Sequence, residues 1–292
     1  MHTIIQGVIL GILTGGVYAL MAGGQTLIFG IMKVVNLAQG AMVILSAYLS
    51  YTLFTSAGID PFLAVLITTP AMFCLGVAVQ WLFLRQLRRE DAAELSILVT
   101  FAIALAVEGV LSVVYSTSYR SINASYANTS FTVGGYQVSA VRLYAFLLSV
   151  GVLGLLYLLL HRTRFGRAVR ATVQNPEAAR LLGVEPARIR ALGFGLGTAT
   201  AAAAGSVFGL IYPFNAGSHY DLISQLLSVV VLGGLGSLGG AVVAGVIIGV
   251  SSSVVAVAWS PTWSQFTFFV VLLAVLLIRP RGLFGTVLRG AL

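Results

Sequence analysis

The chain has 292 residues, of which 59% are hydrophobic and only 8% charged, and its net charge is +8. A soluble domain could not cover that much apolar surface with so few polar groups, so the composition excludes water-soluble folds and implies an integral membrane protein. Apolar stretches of about 20 residues recur along the whole length, and the weak alternation of a transmembrane β-barrel is missing. The expected fold is therefore all-α, a polytopic bundle of about 8–9 spans forming one transmembrane domain over 1–292.

In chain order the candidate spans are 4–30, 40–57, 62–84, 95–115, 141–160, 191–212, 222–237, 240–258 and 265–279. Met1-His2-Thr3 lacks a basic n-region, so the first span is expected to be retained. Two segments fit a plain crossing badly: 25–39, interrupted by Gln25, Lys33, Asn36 and Gln39, and 222–240, which is short and ends in GGLGSLGG. Broken or re-entrant helices are expected there, tolerated at membrane depth where protein or a watery cavity satisfies the backbone. Glycines such as Gly205, Gly209, Gly245 and Gly249 are spaced for close helix contact. The lone Cys74 reads as a small buried hydrophobe.

The cations sit beside the ends of spans, as the positive-inside rule requires, and imply no nucleic-acid partner. Lys33, Arg85, Arg88, Arg89, the loop 161–190, Arg279, Arg281 and Arg289 all fall on the cytoplasmic side if the amino terminus faces out and the carboxyl terminus in. The polar 116–140 loop, with only Arg120, then lies outside.

Seven of the sixteen Lys and Arg residues lie between Arg162 and Arg190. Within that loop Asn175 is a helix cap, Pro176 opens the first turn, Ala178, Ala179, Leu181 and Leu182 supply an apolar face, and Gly183 ends the helix. With Arg167 and Arg170 nearby, this short helix suits either docking to a partner or anchoring to anionic lipid. Lipid anchoring needs no Glu177-Ala178-Ala179, which favours docking.

Glu108 is the one acidic residue deep in a span, either lining a pathway or held by a neighbouring helix. The amides of Gln25, Asn36 and Gln39 suit a route for a zwitterion or an amide, or else cap helix ends. His2, His161 and His219 fall at a terminus or at membrane edges with no paired carboxylates and no metal-ligand spacing near any of them, so neither catalytic residues nor a metal site are expected. No G-x-x-x-x-G-K-[ST] loop occurs, so any nucleotide would be bound by another subunit.

Glu177-Ala178-Ala179 with Gly183 resembles the EAA loop of bacterial ABC-importer permeases, without the I-x-L-P tail of that family. Segments 15–42, 166–184, 231–249 and 279–285 resemble, in order, LivH-type permeases of branched-chain amino acid importers. The Asn-x-Ala-His-Gly of that family reads Asn36-Leu37-Ala38-Gln39-Gly40 here. The resemblance implies a non-enzymatic subunit of a bacterial inner membrane that forms the translocation pathway for branched-chain or other small amino acids. It further implies a second homologous permease, two cytoplasmic ATPases holding ATP and Mg so that this chain carries no cofactor, and a periplasmic or other extracytoplasmic substrate-binding protein. Urea, short amides and small organic acids are alternative cargoes within the family. From the residues alone, an ion-gradient-driven carrier with Glu108 at the ion site stays open.

Overall fold

The computed structural model describes residues 2–87, 92–127 and 129–285. In chain order these form α1 (His2–Met32), α2 (Gln39–Ala57), α3 (Pro61–Leu82), α4 (Ala92–Tyr115), the strands β1 (Ser130–Val133) and β2 (Tyr136–Ser139), α5 (Ala140–Arg162), α6 (Arg164–Gln174), α7 (Pro176–Leu181), α8 (Pro186–Ile211), α9 (His219–Gly233), α10 (Leu238–Ala258) and α11 (Pro261–Ile278). All but α6, α7 and α9 are long and apolar enough to cross a membrane, which makes eight such helices. Arg88, Arg89 and Arg289 lie outside the described residues.

The ninth expected span is α9, whose 15 residues reach roughly 22 Å, short of the roughly 30 Å hydrocarbon core. It ends at Gly234 and Gly236, both with positive φ (+95° and +86°), and Ser237 then caps α10 by accepting from Gly240 N at 3.1 Å. The other break is shorter than the sequence implies. α1 carries Gln25 inside it and continues to Met32, and the chain turns at Lys33, a non-glycine residue at φ +58°. Asn36 Oδ1 then accepts from Ala38 N at 3.1 Å and closes the turn into α2.

α2 begins inside the bundle. A Cβ on Gly24 would lie 2.9 Å from Gln39 Nε2, so the first residue of α2 sits level with Gly24, roughly 12 Å back from the end of α1. α9 begins in the same layer, because a Cβ on Gly40 would meet His219 O at 2.7 Å. Two helix N-termini thus meet at membrane depth.

α8 is the hub. It packs against α1, α2, α3 and α5 and buries Ala201, Ala202, Ala203 and Ala204 almost completely. α1 packs most extensively against α10, along a seam made by Gly7, Gly11 and Gly15 facing Gly245 and Gly249. A Cβ on Gly11 would come within 2.5 Å of Val250 Cα. This is the small-residue contact expected of helices in lipid, where burying apolar surface gives little drive. α4 and α11 turn most of their surface outward. Cys74 on α3 is also exposed, contrary to its expected burial, because it stands on the outward face of a helix only partly covered by α8 and α2.

The polar 116–140 segment holds a hairpin that its composition does not suggest. Gly134 and Gly135, at φ +57° and +85°, make the turn between Val133 and Tyr136, and the Gly-Gly pair is the signal that could have revealed it. Gln137 N donates to Gln6 Oε1 at 3.1 Å and His2 stacks on Tyr136 at 4.4 Å, tying the hairpin to the start of α1. Nearby, Tyr126 OH donates to Asp60 Oδ2 at 2.7 Å, while Asp60 Oδ1 caps α3.

Burial, and then the bond to Asp60, push the Tyr126 phenol above its ordinary range. The neutral phenol is therefore the favoured folded form: the stability it adds is intact below about pH 10 and is lost as pH rises beyond it. Thermal unfolding in detergent between pH 9 and 12 should show a fall for the native chain that Tyr126→Phe reduces.

Candidate coupling hairpin and translocation site

At the end of α5 the chain folds over on itself. Thr163 Oγ1 accepts from Gly166 N at 3.3 Å and starts α6, and Gly166 is pressed so closely on Leu160 O that no Cβ fits. Arg170 Nη1 donates to Leu160 O at 2.7 Å, satisfying a carbonyl left open in the last turn of α5. Arg170 is thus a brace within the fold. Arg167 lies exposed on the same helix.

α6 is absent from the sequence reading, which places a single helix in this loop. The spacing Phe165, Val169, Val173 is the helical signal that marks it, and Val169 packs with Leu27, Ile31, Leu156 and Ile189.

Asn175 both ends α6 and caps α7, its Oδ1 accepting from Glu177 N and Ala178 N, each at 3.0 Å. Glu177 stands in the first turn of α7, where a carboxylate complements the helix dipole. The helix closes with Gly183 N donating to Arg180 O and Val184 N to Ala179 O, both at 3.0 Å, with Gly183 at φ +79°. This double bond is the Schellman closure expected of a helix-ending glycine. Gly183→Val keeps its space, since nothing lies within 4 Å, but forces a left-handed β-branched residue at a cost of roughly 1–2 kcal/mol. Hydrogen exchange localised to 176–184 should speed up while the spans stay protected.

The apolar face expected of this helix is divided. Ala179 is buried against the bundle, whereas Glu177, Ala178, Leu181 and Leu182 point away, with the two leucines 89% and 80% exposed. Ala179 and Leu181 lie about 160° apart around the helix, so seating the first against the bundle turns the second outward.

Asn36 and Gln39 come together where α2 meets α8, Gln25 lies on α1, and each is about 99% buried or more. Gln39 Nε2 donates to Gly197 O at 3.1 Å and Asn36 Nδ2 donates to Gln39 Oε1 at 3.4 Å. Leu37 N donates to Thr100 Oγ1 of α4 at 3.1 Å, and Gln25 Oε1 has no partner. Asn36 and Gln39 thus form a seam that holds the start of α2 against α8. Gln39→Ala strands the Asn36 Nδ2 donor, while Gly197 O keeps Thr200 Oγ1, at a cost of roughly 1–3 kcal/mol measurable as a lower unfolding temperature in detergent.

Glu108 is held by residues more than a hundred positions away. Its Oε2 accepts from Tyr220 OH at 2.9 Å and lies 3.9 Å from His219 Nε2. His219 Nδ1 faces Ala216 O at 3.0 Å, which fixes the ring and aims Nε2 at the carboxylate. The sequence places His219 at a membrane edge without paired carboxylates near it, and the fold brings a single carboxylate, Glu108 of α4, to its ring. Nothing in the local sequence announces that contact.

At the end opposite α6 and α7, a cavity of about 600 Å³ opens among α1, α5, α9, α10 and α11. Thr14, Tyr18, Arg142, Asp221, Gln225 and Ser252 supply its polar lining.

A bundle of eight spans, two helices that begin at membrane depth, a polar cavity between helices and a braced hairpin showing two leucines define a membrane transport subunit. Residues 7–276 match the family of branched-chain amino acid transport system permease components, and the chain belongs to that family. It is accordingly a multi-pass permease of an ABC importer and not an enzyme. It is 29% identical to the probable branched-chain amino acid transport permease LivH of Methanocaldococcus jannaschii, over 94% of this chain and 90% of that one. Against the high-affinity branched-chain amino acid permease BraD of Pseudomonas aeruginosa the identity is 27%, over 96% and 95%. Against LivH of Escherichia coli K12 it is 26%, over 94% and 93%.

Proposed function

We propose that this permease carries branched-chain or other small amino acids across the cytoplasmic (inner) membrane, paired with a second homologous permease. Two cytoplasmic ATPases and an extracytoplasmic binding protein complete the importer, and ATP and Mg are held by the ATPases. The amino terminus lies outside and the carboxyl terminus in the cytoplasm, which puts the arginine-rich 161–190 hairpin on the ATPase side. The cargo class follows the relatives, whose names specify branched-chain amino acids.

The observation that carries the coupling role is the pair of exposed leucines on a hairpin braced to the bundle by Arg170 and Ala179. Glu177, Ala178, Leu181 and Leu182 present a small amphipathic surface to an ATPase groove, and Arg167 and Arg180 flank it. Asn175 and Gly183 hold its geometry, while Ala179 and Arg170 anchor it to the bundle. A push on α7 passes through Arg170 to α5 and through Val184 to α8, and α8 touches four other spans. The seam of Asn36 and Gln39 is the contact that must loosen for α2 to move, and Glu108 marks the pathway where α4 meets α9.

The test is labelled L-leucine uptake into proteoliposomes holding the importer assembled from this chain and its neighbouring subunits. Uptake should require ATP and the binding protein and vanish without the ATPases. Flux driven by an ion gradient through this chain alone would overturn the reading, and transport of urea or acetamide in place of leucine would reassign the cargo.

A further inference from the structure

We propose that the cavity among α1, α5, α9, α10 and α11 is a binding station for a free α-amino acid, with Arg142 holding the carboxylate and Asp221 the ammonium. This rests on the amino-acid cargo proposed above and names the residues that would recognise it.

The two charges come from different walls. Arg142 stands in the first turn of α5, and Asp221 in the first turn of α9; α1 packs against both helices. Both line the cavity, yet among the described residues the ion pairs within 4.0 Å are Arg188 with Glu185 and His219 with Glu108. Arg142 and Asp221 thus share a space without touching. Tyr18 and Tyr212 line the same cavity, and Arg142 is half-buried there. Asp221 sits in the first turn of α9, at the positive end of the helix dipole.

Arg142 is half-buried and Asp221 exposed, so both charges stand open at the mouth of the bundle to a ligand that can complete them. A zwitterion does so at both ends. Its planar carboxylate matches the two-pronged guanidinium, and its ammonium finds a carboxylate together with neutral acceptors at Gln225 and Ser252. Phe208, Leu222 and Phe268 add an apolar stretch of wall for an aliphatic side chain, beside further polar residues such as Tyr119, Tyr212 and Ser264. The cavity reaches Thr14, roughly 18 Å along α1 from His2, so cargo seated there is well inside the bundle. Its volume, about 600 Å³, falls within the range of small-molecule sites.

The experiment is equilibrium binding of labelled L-leucine to the solubilised, assembled importer without its binding protein. Binding should be saturable. Arg142→Gln and Asp221→Asn should each weaken it about tenfold or more, equivalent to about 1.4 kcal/mol, while Arg142→Lys retains part of it. Competition adds a readout that a merely structural residue would not move. In the native complex, 4-methyl-2-oxopentanoate, which lacks the ammonium, should compete at least tenfold more weakly than leucine, and Asp221→Asn should erase that preference.

Leucine binding at native strength in both neutral variants would overturn the proposal, as would native importer that transports leucine with its binding protein but binds none without it. In either case the amino-acid cargo stands. Native importer that fails to transport leucine at all removes the cargo reading and this one with it. Should a neutral variant fail to assemble, equal affinity of the native complex for leucine and 4-methyl-2-oxopentanoate still overturns the proposal.

Discussion

Leu181→Asp combined with Leu182→Asp should abolish ATP-driven uptake while the protein still inserts, folds and pairs with its partner permease. The two side chains are 89% and 80% exposed, so the bundle has no stake in their hydrophobicity. Docking is different. Burying a leucine in a partner's groove is worth roughly 1.5–3 kcal/mol, and placing a carboxylate there adds a desolvation cost. Losing both contacts removes about 3–6 kcal/mol from the ATPase interface, a hundredfold or more in affinity. The measurement is co-purification of the ATPases with the permease, alongside uptake and the unfolding temperature. Native co-purification by the double variant would show that α7 is not gripped there. Glu177→Ala, which removes a charge and leaves the leucines, should cost less.

Gly249→Val should prevent folding, or lower the unfolding temperature severely. A Cβ at Gly249 would fall 2.5 Å from both Gly11 O and Gly15 Cα, and every atom it meets is backbone. No flexible side chain can give way, so α1 and α10 must part along their whole seam. Overpacking of an ordinary core costs roughly 1–3 kcal/mol, and a rigid glycine seam in lipid lies at or beyond the upper end. Gly109→Ala is the control. A Cβ there meets nothing within 4 Å, so alanine should be neutral or stabilise α4 by up to about 1 kcal/mol. Yield and thermal unfolding of the two variants in the same detergent decide the matter.

The parts of this architecture legible in the sequence are those set by local physics. Eight spans follow from runs of apolar residues, and the shortness of α9 follows from GGLGSLGG. Asn175 as cap and Gly183 as terminator follow from the chemistry of helix ends, and Gly245 and Gly249 as contact points from their spacing. The hairpin at 130–139 and α6 were also legible, through Gly134-Gly135 and the Phe165, Val169, Val173 spacing, but hydropathy dominates the reading of such a chain and hides short polar elements.

What was not legible depends on depth. The amides Gln25, Asn36 and Gln39 look like a polar route when read along the chain. Folded, Gln39 reaches Gly197 O and Asn36 reaches Gln39, because α2 starts two turns back from the end of α1. Cys74 looks like core and faces outward, since a uniformly apolar helix gives no sign of which side its neighbours cover.

The sequence by itself determined that the chain lives in a membrane, where its helices start and stop, and which loop carries the cations. Each of these is fixed by residues within a turn or two of one another and by the absence of water to satisfy a bare backbone. Only the tertiary structure decided that His219 meets Glu108, that Leu181 and Leu182 face out while Ala179 faces in, and that Arg142 and Asp221 share one cavity. Those relations depend on how far each helix is pushed along its axis and turned about it. In lipid that is settled by the close fit of glycine seams such as Gly11 against Gly249, a contact between residues far apart in sequence.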